Sequence, residues 1–247
     1  IIVKAALKEE EAPIPNHTSY VRLRLPDYKD VGDEYKQYVL YSYALGIFNG
    51  VADGSFLPKK TLTRGEGSAI IMRYLDKSMR RPLRPKDSEI VTITTTYENL
   101  IYEIYPLSKT EIMDVTRLMQ NNINKSKGYV TLEYNPTYET IYFDFYKSKD
   151  SYEESSIFND CNLILRMAEW NLDYYYITIY ESENTKNFHR DVFIELFSYL
   201  FGKEVEKVIK DFDEYLELVA KSPKLENKKY TLNNREVIFI KPESGNS

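Results

Sequence analysis

The chain has 247 residues, of which 43% are hydrophobic and 29% are charged, and its formal net charge is −5. This composition can fill a hydrophobic core, so the chain need not be disordered, and its length is typical of one large domain or two modest ones. The acidic balance argues against nucleic-acid binding, which needs clustered Lys and Arg. No stretch approaches the roughly 18 apolar residues that span a bilayer, and the single cysteine, Cys161, excludes an internal disulfide. The 23 tyrosines suit half-buried strands, with stacking on sugars or bases as the alternative.

Residues 1–27 are expected to end one structural unit and connect it to the next. The run Ile1–Lys8 is apolar from its first residue, has no capping residue before it, and matches Ile70–Lys77 at several positions. We therefore interpret it as the last helix of a preceding repeat and expect more repeats upstream. A charged, proline-containing connector follows, and the alternating residues Val21–Pro26 predict a short extended segment.

A first helix is predicted early in the segment 28–77, because apolar residues recur there with helical spacing. These residues are Tyr35, Val39, Leu40, Tyr43 and Ala44. Asp30 or Asp33 is expected to cap the helix start, and Gly46 follows the last periodic residue as a stop signal. A loop is then predicted by its turn residues, Gly50, Asp53, Gly54 and Pro58.

A second helix is predicted to begin at Thr63. Thr63 and Glu66 have the spacing of a capping box, in which each side chain accepts a hydrogen bond from the other residue's backbone N–H. Both residues, like Asp30, are interpreted as structural rather than as ligand contacts.

Together these motifs resemble an S-layer homology (SLH) repeat. The matching elements are Tyr28-x-Asp30-Val31, the aromatic Tyr35, Gly46-Ile47, Gly50, Asp53-Gly54-Ser55-Phe56, Pro58 and Leu62-Thr63-Arg64-Gly65-Glu66. SLH repeats are usually found on bacterial cell-surface proteins, often in sets of three. The resemblance implies an extracellular protein that is anchored noncovalently to a pyruvylated secondary polysaccharide of the bacterial cell wall.

The resemblance also implies which residues contact this polysaccharide. Arg64 would bind the pyruvate carboxylate through a forked, charge-assisted contact beside a helix N-terminus. Gly50 would let the sugar approach the backbone, and Tyr35 would offer a stacking face. Each has a structural alternative: Arg64 as a solvated helix-start residue, Gly50 as a turn residue and Tyr35 as a core residue. The sequence departs from the family at Tyr35, where Trp is usual, and at Gly65, where Ala is usual.

Residues 78–87 are basic and contain two prolines, which indicates a linker, and residues 88–242 then show a mixed pattern of strands and helices. The predicted strands are Ile90–Thr96, Leu100–Tyr105, Gly128–Tyr134, Thr140–Tyr146, Tyr174–Tyr180, Lys229–Leu232 and Glu236–Ile240, and the last two are expected to close the sheet as a hairpin. The predicted helices are Ser108–Asn124, Ile157–Trp170 and Val192–Val219, the last with a break at Gly202. Residues 243–247 form a polar tail. The predicted class is α+β, with one or more N-terminal helical SLH repeats followed by a mostly antiparallel sheet with packed helices.

Residues 88–242 carry no motif that predicts catalysis, a cofactor or a bound metal. The histidines, His17 and His189, do not lie in a recognisable catalytic order, and Cys161 is interpreted as a buried residue of an apolar helix. Four carboxylates are interpreted as a solvated helix face: Asp211, Asp213, Glu214 and Glu217.

We therefore expect residues 88–242 to form a binding or interaction domain rather than an enzyme. Its expected partners are the secondary cell-wall polysaccharide and other surface proteins, without nucleic acid and without a membrane span. Two alternatives stay open at this point. One is an anchored enzyme that acts on wall glycan, and the other is a structural protein that assembles with itself or with another surface subunit.

Overall fold

The computed structural model describes residues 2–8, 12–107, 111–154, 161–166, 174–179, 185–221 and 228–239. The helices in these residues are α1 (Ile2–Ala6), α2 (Pro15–Arg22), α3 (Asp33–Ala44), α4 (Arg64–Leu75), α5 (Glu111–Asn122), α6 (Lys149–Glu154), α7 (Thr185–Phe201) and α8 (Val205–Lys221). The strands are β1 (Val91–Thr94), β2 (Ile101–Ile104), β3 (Tyr129–Asn135), β4 (Thr140–Tyr146), β5 (Cys161–Arg166), β6 (Tyr174–Ile179), β7 (Lys228–Leu232) and β8 (Arg235–Phe239). Helices precede a region of antiparallel strands and packed helices, which confirms the predicted α+β class. The predicted tail, 243–247, lies outside the described residues.

The described strands form three separate antiparallel sheets. β1 pairs with β2, the strands β3 to β6 form a meander in chain order, and β7 pairs with β8. Asn233 and Asn234 connect the last two strands with φ values of 50° and 59°, as a tight hairpin turn requires. The prediction that this hairpin closes the main sheet is wrong, since among the described strands β7 and β8 pair only with each other.

The main hydrophobic core lies between the four-stranded sheet and the helices that cover one of its faces. Alternate residues of a strand point to opposite faces, and Ile141, Phe143 and Phe145 of β4 are therefore buried together. Side chains of α5, α7 and α8 complete this core: Ile112, Val115, Met119, Val192, Leu196, Val208 and Phe212. Gly202 separates α7 from α8, as predicted, with φ at +53°.

Two predicted elements are wrong because contacts between distant residues decide the local structure. The predicted helix Ile157–Trp170 contains β5, whose residues pair with β4 on one side and β6 on the other. Cys161 therefore belongs to a strand and not to a helix. The predicted extended segment Val21–Pro26 is helical as far as Arg22, because Val21 turns into the core of the following repeat.

The expected capping of the first repeat helix by Asp30 or Asp33 is also wrong. The residue before α3 is Gly32, which makes no side-chain cap, and Asp33 is the first helical residue. Asp30 ends a short 3₁₀ turn, Tyr28–Asp30. Asp33 still lies in the first turn of α3, where negative charge favours the helix dipole.

Helix α2 joins the repeat to the sheet domain through buried polar contacts. The Asn16 amide donates to the Tyr105 carbonyl at 3.2 Å, and its oxygen accepts from the Tyr105 N–H at 2.6 Å. Ser19 donates to the Glu139 carboxylate at 2.5 Å. His17 Nε2 lies 2.9 Å from the carbonyl oxygen of Leu83, and burial lowers the pKa of this histidine. The connector is therefore built into the fold of residues 88–242.

Residues 78–87, interpreted as a linker, lie against the repeat. The Arg81 N–H donates to the Gly46 carbonyl at 3.3 Å, and the Leu83 N–H donates to the Tyr43 carbonyl at 3.0 Å. The Leu83 side chain packs against the main core and also against the core of the repeat. This segment and α2 together fix the repeat on the sheet domain.

Replacing Asn16 tests this connection. The Asn16→Ala variant leaves the buried N–H and C=O of Tyr105 without these partners, and we expect it to lower the free energy of unfolding by about 2–4 kcal/mol. Urea unfolding measures the change. The matched control is Asn49→Ala at an exposed loop position, where we expect a change within about 0.5 kcal/mol. Equal effects of the two substitutions would contradict the role assigned to Asn16.

Candidate functional site

The repeat is built from α3, α4 and the loop between them. Its core includes Val21, Leu25, Val31, Val39, Tyr43 and Ala44. Gly46 follows α3 with φ at +72°, and a Cβ there would collide with the backbone at Pro82. The glycine stop signal is therefore required by backbone conformation and by the close approach of residues 81–82.

Asp27 holds the loop in place, and the sequence patterns did not indicate this role. Its carboxylate accepts the N–H of Phe56 at 2.9 Å and the N–H of Leu57 at 2.7 Å. Leu57 has φ at 57°, a left-handed conformation that needs such support. A carboxylate that binds backbone 29 and 30 residues away leaves no periodic signal. The predicted structural residue, Asp30, is exposed instead.

The predicted capping box at the start of α4 is confirmed. The Glu66 N–H donates to Thr63 Oγ1 at 3.2 Å, and Glu66 Oε2 accepts the Thr63 N–H at 2.8 Å. Lys60 Nζ lies 3.0 Å from the other carboxylate oxygen, Oε1. The Thr63 N–H, then Lys60, lower the pKa of the Glu66 carboxyl to about 2.

Arg64 is the first residue of α4 and is exposed. Within the described part of the chain, its guanidinium has no hydrogen bond or ion pair, while the neighbouring Glu66 is occupied by Thr63 and Lys60. The free N–H groups of the first helical turn lie beside it. The site thus combines an available guanidinium with a helix N-terminus, and both favour an anion.

The structure argues against the structural alternative for Tyr35, a core residue, and supports the one for Gly50, a turn residue. Tyr35 is 60% exposed, so it is not a core residue, and its ring is open to solvent at the first turn of α3. Gly50 has φ at +71°, and a Cβ there would lie 2.8 Å from Tyr43 Oη. Gly50 is therefore required by the turn itself. Among the described contacts, none joins the side chains of Tyr35 and Arg64 to each other or to Gly50.

Helix α4 exposes most of its apolar residues. Ile70 is buried, whereas Ile71 is 51%, Met72 47% and Leu75 70% exposed. The sequence match of Ile1–Lys8 to Ile70–Lys77 places Val3 and Ala6 of α1 at the positions of Met72 and Leu75. Val3 and Ala6 are buried. In α1 these positions are buried against the repeat, whereas the equivalent positions of α4 are exposed to solvent.

Three of the titratable groups singled out in residues 88–242 contact other side chains within the fold. Asp211 pairs with Lys228 at 2.8 Å and Asp213 with Arg190 at 2.5 Å, so the interpretation of these two as a solvated face is wrong. Glu214 and Glu217 are exposed, as expected. His189 is buried with Nδ1 2.7 Å from Ser126 Oγ, and burial lowers its pKa to about 4.

Across the described ranges, no group of three His, Cys, Asp or Glu side chains is placed to hold a metal ion. In the same residues, no helix combines the length and apolar character needed to cross a membrane.

The candidate site is thus a helix–loop–helix unit with a capped Thr-Arg-Gly-Glu start and an available arginine. Residues 24–66 match the family model described as the S-layer homology domain. The chain therefore contains an S-layer homology domain, and this domain suggests cell-surface anchoring to a polymer of the cell wall. The matched range includes Asp27 and ends at the capping box. No curated protein and no solved structure matches the chain.

The capping box can be tested by substitution and by pH. Thr63→Ala removes the cap, and we expect it to cost about 1 kcal/mol of stability in urea unfolding. Thr61→Ala, at an exposed position two residues earlier, is the matched control. Because the pKa of Glu66 is lower in the folded state, its stabilising effect is present above its ordinary value of 4.5 and is lost as the pH falls toward 2. The stability difference between the wild type and Glu66→Gln should therefore be constant near neutral pH and shrink below pH 4.5; a difference that grows in acid would contradict this.

Proposed function

We propose that the protein binds noncovalently to a pyruvylated secondary polysaccharide of the bacterial cell wall and presents residues 88–242 outside the cell as a binding or interaction domain. The observation that supports this most directly is the state of Arg64. It is exposed at the start of α4, has no described ion pair, and lies inside the range that matches the SLH domain.

The local charges leave Arg64 available for an anion. Glu66, the nearest acidic residue in sequence, binds the Thr63 N–H and pairs with Lys60. A carboxylate ligand would meet the guanidinium through two parallel N–H···O contacts and would also face the positive end of the α4 dipole. A pyruvate ketal on a sugar supplies such a carboxylate.

The two other residues that the resemblance implies would act on the sugar ring rather than on its charge. The exposed ring of Tyr35 can pack against the C–H face of a sugar. Gly50 lies at an exposed turn, where its backbone is the part of the residue that a sugar hydroxyl could contact.

A binding role for residues 88–242 is supported by the use of their titratable groups within the fold. His189 is buried against Phe145, and Asp211 and Asp213 hold β7 and α7 to α8. These groups are therefore committed to structural contacts. We infer that the domain recognises a partner rather than transforming a substrate.

Arg64→Ala is expected to weaken retention on purified wall polysaccharide by about tenfold, which corresponds to one lost charge-assisted contact. A pull-down or binding isotherm with the full chain measures it. Arg81→Ala removes the same charge at another exposed position and is the matched control. Arg64→Lys should be intermediate, because it keeps the charge and loses the fork. Undiminished retention of Arg64→Ala, or shortened polysaccharide after incubation with the wild type, would contradict the proposal.

The exposed face of α4 favours a second candidate function, a structural protein that assembles with a second copy of itself. Ile71, Met72 and Leu75 lie on one side of the helix. Helical spacing of three and four residues makes the stripe continuous. A self-complementary apolar stripe can pack against its own copy around a twofold axis.

Sedimentation of the full chain tests this assembly. We expect a concentration-dependent dimer that Leu75→Glu weakens, because the substitution places a charge in the stripe that the dimer would bury. Leu218→Glu changes a half-exposed leucine on α8 in the same way and should leave the dimer unaffected. A wild type that stays monomeric at high concentration would contradict self-assembly through α4.

A further inference from the structure

The face of the four-stranded sheet that points away from the main core carries tyrosines and carboxylates where β3 begins and β4 ends. We propose that this tyrosine–carboxylate surface binds a Lys- or Arg-rich segment of another surface protein. The inference rests on the proposed function, since it names a partner class for the binding domain 88–242. Its residues are Tyr97, Glu98, Tyr129, Glu133, Asp144, Tyr146, Asp150, Tyr152 and Glu153.

The register of β3 and β4 brings these side chains to one face of the sheet. Phe145 of β4 points into the main core, so its neighbours Asp144 and Tyr146 point to the opposite face. Tyr146 lies directly opposite Tyr129 of β3. Glu133 lies four positions after Tyr129 in the same strand and therefore shares its face. Aromatic rings and carboxylates thus alternate on neighbouring strands.

Three tyrosine rings pack against one another on this surface. The ring centre of Tyr152, in α6, lies 5.3 Å from that of Tyr129 and 5.2 Å from that of Tyr146. All three residues are half-buried, whereas Tyr97, in the turn between β1 and β2, is 74% exposed. Rings that hold one another in place lose little conformational freedom when a partner binds. Their π faces attract the cationic side chains of Lys and Arg.

Carboxylates outnumber cations on the elements that carry these rings. The described acidic residues there are Glu98, Glu133, Asp144, Asp150 and Glu153. Among the described residues, Lys149 pairs with Glu153 at 3.2 Å, and both side chains are exposed, so water screens the pair. Lys127 and Lys147 lie beside the strand ends. The carboxylates remain in excess even when all three lysines are counted.

Glu133 is a half-buried carboxylate with no cation paired to it in the described ranges. Its Oε1 accepts the Tyr97 N–H at 2.9 Å. Burial raises the pKa of Glu133, and the charge of Glu98 acts in the same direction. Burial, followed by the charge of Asp144, raises the pKa of Tyr146 to about 12. The negative potential therefore extends over the rings, and a cation that reaches Glu133 would offset the cost of its partial burial.

A Lys or Arg side chain meets both features of this surface. Its aliphatic stem can pack on a tyrosine ring while its charged end reaches a carboxylate. An acidic partner would be repelled by the excess of carboxylates. A neutral sugar could stack on the rings, but it would bring no charge to Glu133. The charges therefore favour a cationic protein segment over the other partners.

The test uses the full chain and a fluorescent peptide that alternates Arg with Ala, compared with one that alternates Glu with Ala. We expect the Arg peptide to bind, with an affinity that falls as salt rises, and the Glu peptide not to bind. Glu133→Gln keeps an acceptor for the Tyr97 N–H but removes the charge, so it should weaken binding about fivefold. Glu217→Gln removes the same charge from an exposed site on α8 and is the matched control. Fluorescence anisotropy measures each affinity.

The rings are tested separately at Tyr152. Tyr152→Leu keeps an apolar side chain and removes the π face, so we expect it to weaken binding of the Arg peptide about threefold. Tyr152→Phe keeps the ring and should bind as the wild type does. Circular dichroism and urea unfolding verify that each variant is folded. Equal binding by the Leu and Phe variants would contradict the role of the ring.

The outcomes separate this inference from the proposed anchoring. Equal effects of Glu133→Gln and Glu217→Gln, or binding of the Glu peptide, would overturn the cationic partner. Displacement of the Arg peptide by depyruvylated repeating units of the wall polysaccharide would show a glycan site and would also overturn it. Arg64→Ala should weaken polysaccharide retention and leave peptide binding unchanged; loss of both would contradict a separate surface. A wild type that binds the Arg peptide but not the polysaccharide would overturn the anchoring and leave this inference in place.

Discussion

The two hydrogen bonds between Asn16 and the backbone of Tyr105 are the contacts on which the arrangement of the protein depends. They are buried, so their loss would leave polar backbone groups away from water. They fix α2, which in turn places Tyr20 in the main core and Val21 and Leu25 near the core of the repeat. A single side-chain amide therefore links the repeat to the sheet domain.

The parts of the fold that sequence could predict are those that local interactions determine. The Thr63 and Glu66 pair is a contact between residues three apart, and its signature is readable in the chain. The hairpin of β3 and β4 and the turn at Asn233 likewise depend on neighbours in sequence. For the candidate site, the position of Arg64 at a helix N-terminus could be predicted, because the capping box predicts where α4 begins. The Arg64 guanidinium is also available because Lys60 pairs with the carboxylate of Glu66.

The parts that sequence could not predict depend on distant partners. The segment Cys161–Arg166 is short and apolar, and a strand and a buried helix look alike at that length. Pairing with β4 and β6 decides between them. Asp27 binds backbone 29 and 30 residues away, so no spacing rule points to it. The packing of α2 beside α3 could not be predicted either, because the start of α2 was interpreted as part of a connector and Val21–Pro26 as an extended segment.

The cations of Arg64 and Lys36 differ in whether an acidic side chain already pairs with them. This difference bears on how an acidic polymer would bind to the repeat. Glu66 is fixed by backbone and side-chain donors, so its charge does not reach out to Arg64. The partner of Lys36 is an exposed carboxylate on the same helix, and exposed pairs of this kind contribute little because water screens them. A ligand carboxylate would have to compete with Asp33 for Lys36, whereas the Arg64 guanidinium has no described partner to exchange. Binding of an acidic polymer at Arg64 therefore does not require an ion pair of the repeat to be broken.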